Sequence, residues 1–165
     1  MDGKTYLKLI EQRLQRYFDN KTLDKALPFA LIAELNASDE GYFMVPSIKT
    51  YSVKHNEYLF VQRFTKTVTK EQIEPYINLI KEKMQTLKTT TEHMSSLFAL
   101  VFICEAGMAP NLEHYLVKIK YHKDYCFSLK GWSDLALYVV DIPSQKLIYN
   151  KAGQKTAGYF AFKNQ

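Results

Sequence analysis

The apolar positions Tyr6, Leu7, Ile10, Leu14, Tyr17 and Phe18 recur at spacings of three and four, with Lys8, Glu11, Gln12, Gln15 and Arg16 between them. That period predicts an amphipathic helix over residues 4–18. Ile73, Tyr76, Ile77, Ile80, Met84 and Leu87 repeat the pattern against Lys81, Glu82, Lys83, Gln85 and Lys88, which predicts a second helix over 72–88. Thr69 and Gln72 have the spacing of a capping box, whereas Pro75 removes a backbone donor and favours a start nearer Glu74.

After each helix the period falls to two and Val, Ile, Phe and Tyr take over, which predicts strands. In the first half these cover 29–35, 42–45, 48–53 and 58–64, with 54–57 as a hairpin turn in which Asn56 suits a positive φ. In the second half they cover 96–105, 114–121, 125–129, 135–141 and 146–150. The connections at 122–124 and 142–145 are short enough to impose antiparallel neighbours. The expected fold is a single α+β domain over 1–165, with two amphipathic helices packed on a mainly antiparallel β-sheet in two helix-then-meander units. The apolar run 97–104 lies between Thr89-Thr90-Thr91 and Gly107-Met108-Ala109-Pro110, with the length and flanks of a central strand covered on both faces.

That run is far shorter than the ~20 residues a helix needs to cross a bilayer, so no membrane partner is expected. No signal-like apolar stretch follows Met1, and secretion by that route is not expected either. A chain of 165 residues with 47% hydrophobic and 14% aromatic content is large and apolar enough to bury a core without staples. Cys104 and Cys126 form no C-x-x-C pair, which fits reduced thiols in the cytoplasm better than a disulfide framework.

Charge changes the picture in one region. Residues 111–165 hold eight lysines and four acids, net +4, out of a formal +5 for the chain. If 114–121 is a strand, Tyr115, Val117, Ile119 and Tyr121 share one face while Lys118 and Lys120 share the other, and Lys130 from the next strand can join them. Such a basic sheet face suits phosphate, nucleic acid or an acidic protein, although exposed lysines on a sheet also serve solubility alone. No nucleic-acid-binding motif accompanies it.

The turn near Gly131 carries the only tryptophan, Trp132, beside Lys130, and the corner Asn150-Lys151-Ala152-Gly153 is similar in kind. Lys118, Lys120, Lys130, Trp132, Asn150 and Lys151 are therefore the candidate binding residues. Catalytic chemistry has only fragments. Cys104 with His114 is a conceivable nucleophile and base, but Cys104 ends a strand that reads as buried, where a thiol ionises with difficulty. His55, His93, His114 and His122 lack metal-site spacing, and no phosphate-binding or nucleophile-elbow motif is present. No cofactor and no metal is expected.

Glu92-His93-Met94-Ser95-Ser96, Phe127-Ser128-Leu129-Lys130-Gly131-Trp132 and Tyr149-Asn150-Lys151-Ala152-Gly153, in this order behind an N-terminal amphipathic helix, resemble a family of small uncharacterised proteins of clostridia and related Gram-positive bacteria. The resemblance implies a cytosolic bacterial protein of unknown function and lends no catalytic residue. The residues favour a non-enzymatic binding or protein-interaction module, partnered by a second copy or another protein. The alternatives are a nucleic-acid or phosphate binder, and an enzyme whose site assembles only in the fold.

Overall fold

A computed structural model describes residues 1–15, 19–20, 28–38, 54–90 and 93–162. Its elements are α1 (Gly3–Leu14), β1 (Asp19–Asn20), β2 (Leu31–Ser38), β3 (Lys54–Phe64), α2 (Lys70–Gln85), β4 (His93–Cys104), α3 (Leu112–Lys118), β5 (His122–Asp124), β6 (Trp132–Asp141), β7 (Lys146–Tyr149) and a 3-10 helix (Lys151–Tyr159). Among the described residues the sheet has seven strands in the order β1-β2-β3-β4-β6-β5, with β7 also paired to β6.

The sheet is mixed: four of its six described strand pairings are antiparallel, but the two at its centre are parallel. β4 pairs parallel with β3 on one side and with β6 on the other, while the antiparallel pairs lie outside this centre. The reason is the length of the connections. α2 and α3 carry the chain back across one face of the sheet, which is what two parallel neighbours require. The anticipated double helix-then-meander order is thus replaced by two crossovers that share β4.

Even-numbered β4 side chains Phe98, Leu100, Phe102 and Cys104 pack with Ile73, Ile77, Ile80 and Met84 of α2 and Leu112 and Leu116 of α3. Odd-numbered Ala99, Val101 and Ile103 pack with Tyr6, Ile10 and Leu14 of α1 and with Ala157 and Phe160 of the C-terminal segment. The apolar run read as a central strand covered on both faces is therefore such a strand, and residues 98–104 are all buried.

α1 and α2 form where the 3.6 period places them. Thr69 N donates to Gln72 Oε1 at 2.9 Å, and α2 starts at Lys70, not near Glu74. Pro75 leaves the Glu71 carbonyl without its helical donor, and both residues lie on the exposed face of the helix where water can serve that carbonyl. At the same end of the sheet Glu105 pairs with Arg63 (2.7 Å) and presses its carboxylate against the first residue of α1, leaving no room for a Cβ at Gly3.

Three further expectations need correction. Residues 54–57 continue β3 and pair with β2, so they are not a hairpin turn. Residues 112–118 are helix, not strand, because Leu112 and Leu116 bury one helical stripe with Tyr115 and Ile119 packed beside it. Residues 125–130 are a turn rather than a strand. The expected strands at 42–45 and 48–53 lie outside the described residues. No helix among the described residues is long and apolar enough to cross a membrane.

Candidate functional site

The chain leaves β5 at Asp124 and must reverse within a few residues to enter β6 at Trp132. Tyr125 N donates to Gly131 O (2.9 Å) and Lys130 N to Tyr125 O (3.1 Å), closing the base of the loop. Within it Leu129 N donates to Cys126 O (3.0 Å) and Gly131 N to Ser128 O (3.1 Å). Cys126, Phe127 and Ser128 have φ of 51°, 53° and 66°, three consecutive non-glycine residues in the left-handed region. Each costs roughly 1–2 kcal/mol relative to its ordinary conformation, so the surroundings must impose the turn. Gly131 (φ 76°) is required twice over, because a Cβ there would also run into the Met94 carbonyl. Phe127 is 98% exposed and Leu129 80% exposed.

A buried polar network holds the loop from beneath. β3, β4 and β6 are parallel, so their starting ends meet the end of α2 on one side of the molecule. There the Tyr125 hydroxyl donates to Met84 O (2.6 Å), which leaves Ser133 Oγ to donate to it (2.9 Å). His93 lies edge-on to the Tyr125 ring. Its Nδ1 donates to Lys130 O at 2.7 Å, since a carbonyl can only accept, and in the neutral ring Nε2 accepts from Ser96 Oγ at 2.7 Å. At the solvent side His122 Nδ1 bonds Asp134 Oδ1 (2.7 Å), its Nε2 lies 3.3 Å from Asp124 Oδ1, and Ser128 Oγ donates to that same Asp124 oxygen (2.6 Å). The last left-handed residue is thereby tied to β5 and, through His122, to β6.

These contacts set the local protonation. The hydrogen bond to Asp134 holds the His122 imidazole above its ordinary value, and the Ser128 hydroxyl holds the Asp124 carboxyl below its own. Burial pushes the Tyr125 phenol up. Ser96 and His93 have the separation of a nucleophile and its base, but both are buried, and the second imidazole nitrogen is held by a main-chain carbonyl, not a carboxylate. The pair fastens strand to loop and leaves no face open to a substrate. Cys104 and His114 do not make a reactive pair: burial, with Asp141 alongside, pushes the Cys104 thiol up to about 12, and His114 is exposed on α3. Among the described residues no His, Cys, Asp and Glu side chains group as metal ligands.

The sequence-derived candidates divide in two. Lys130 and Trp132 follow the loop directly, and exposed Lys118 and Lys120 stand ahead of β5 at the end of α3 and after it, instead of on a sheet face. Asn150 is buried and fully occupied: Nδ2 donates to Ile119 O (3.0 Å) and Leu135 O (2.9 Å), while Oδ1 accepts from Leu137 N (3.0 Å) and Gly153 N (3.1 Å). It fills the gap along β6 between β5 and β7 and has no bonding capacity left for a ligand. Lys151 is exposed on the 3-10 helix that Asn150 caps. Phe127 and Leu129 are not among the candidates drawn from the sequence, which reads 125–129 as a strand.

No curated protein and no solved structure matches this chain. Residues 2–162 match the family described as a domain of unknown function, DUF8052, and the chain belongs to that family.

Proposed function

We propose that the protein is a non-enzymatic binding module whose contact element is the loop 126–129. The observation that carries this reading is the coincidence of two costs at one place: consecutive left-handed residues, and a phenylalanine held 98% exposed on them. Strain persists where surrounding structure enforces it, and such enforcement concentrates at sites of recognition. Here the enforcing groups are His93, Tyr125, Ser133 and the His122–Asp124–Ser128 chain, a polar assembly larger than a plain β-turn needs. Preorganisation of this kind favours binding because the loop's ordering cost falls on folding and not on association.

We propose a cytoplasmic location, which the free thiols Cys104 and Cys126 support. The reading is tested by putting a photo-crosslinking phenylalanine analogue at position 127 in living cells, with position 159 as an exposed control. Crosslinks from 127 in excess of those from 159 are expected. Equal yields would overturn the assignment of the loop.

A further inference from the structure

We infer that the loop docks on an anionic lipid surface, with Phe127 and Leu129 entering the headgroup layer and Lys118, Lys120, Lys123 and Lys130 meeting its phosphates. The inference rests on the reading of the loop as the contact element and names its partner. It departs from the expectation of no membrane partner, which followed only from the shortness of the apolar run. A chain without a spanning helix still meets a membrane when a loop enters the interface.

Shape is the first argument. A protein partner needs a surface of about 1,000 Å² or more, with a rim that keeps water from the central anchors. Phe127 and Leu129 instead stand nearly free of the body, with exposed Cys126 and Ser128 beside them. A protruding apolar tip of this form suits a fluid interface, which closes around it without a matching pocket. Charge is the second. Between residues 118 and 134 four lysines stand against two acids, Asp124 and Asp134, both engaged by His122 and the first also by Ser128. Lysines on the segments that lead into and out of an apolar tip complement the negative surface of a cytoplasmic leaflet. Rigidity is the third, since the braced turn holds both side chains outward before contact. A single-stranded nucleic acid would find a stacking face in Phe127 but none in Leu129, and an oligonucleotide competitor separates the two partners.

The test is co-sedimentation of the full chain with vesicles of phosphatidylcholine alone and of equal parts phosphatidylcholine and phosphatidylglycerol. Emission of Trp132, the only tryptophan, provides a second readout. We expect partitioning about tenfold or more in favour of the anionic vesicles. The double change Phe127→Ser with Leu129→Ser should remove most binding with the melting temperature retained, because both side chains are exposed. Lys120→Glu with Lys123→Glu should abolish the preference for phosphatidylglycerol. No binding to either vesicle overturns the lipid assignment; the loop reading then survives if crosslinks from position 127 reach protein, and falls with it if they do not. Equal binding to both vesicles, or anionic binding untouched by the Phe127 and Leu129 changes, overturns the assignment. So does displacement of the vesicles by a single-stranded oligonucleotide.

Discussion

Asn150 joins three stretches of chain through one amide: the segment after α3, the middle of β6 and the start of the 3-10 helix. Asn150→Leu keeps the volume but strips a partner from Leu137 N, Leu135 O and Ile119 O. At about 1–3 kcal/mol for each buried polar group left unpaired, the variant should lose at least about 3 kcal/mol in urea denaturation. His122 makes a prediction about pH. Its folded value is raised, so its contribution to stability is fully present below the ordinary value of 6.5 and fades as pH climbs through the folded one. A proton-NMR titration should place His122 above an unstructured histidine, and Asp134→Asn should bring it back down. The two thiols should separate kinetically. Cys126 is exposed and should react with a disulfide reagent at once, whereas Cys104, pushed up to about 12, should react only on unfolding.

Elements show where local pattern suffices and where it does not. α1 and α2 follow directly from the spacing of their apolar residues, and the Thr69–Gln72 box marks the true start of α2 despite Pro75. Residues 112–119 satisfy two periods at once. Tyr115, Val117, Ile119 and Tyr121 alternate as a strand would, while Leu112, Tyr115, Leu116 and Ile119 form a helical stripe, and the half-exposure of Val117 shows which one packing selected. The loop at 126–129 was illegible for another reason. Nothing in Cys-Phe-Ser-Leu favours left-handed backbone, and contacts distant in sequence impose it, through His93 on Lys130 and Met84 on Tyr125. Phe127→Asn should therefore leave stability unchanged or raise it by up to about 1 kcal/mol, since Asn tolerates positive φ and little packing is lost. A fall in melting temperature of several degrees would show that Phe127 packs in the folded state.

For the whole molecule, β4 is the shared wall of two cores. Phe102 is fully buried among aromatic neighbours, with Phe64 and Tyr76 packed on its ring. Phe102→Ala should cost about 3–5 kcal/mol, and amide exchange should be slowest in β4 and β6. A loss below about 1 kcal/mol would contradict the packing described, because a cavity of that size cannot collapse between a sheet and a helix.

By itself the sequence determined the amphipathic helices, the central strand covered on both sides, and the concentration of lysines in the last third. Each is a property of a contiguous segment, visible in its period or its composition. Tertiary structure alone decided that β4 has parallel neighbours, that residues 112–118 coil, and that Phe127 and Leu129 stand in solvent while Asn150 is sealed inside. Those outcomes depend on which segments meet across the sheet, and a turn can be held against its own preference only by groups that folding brings to it.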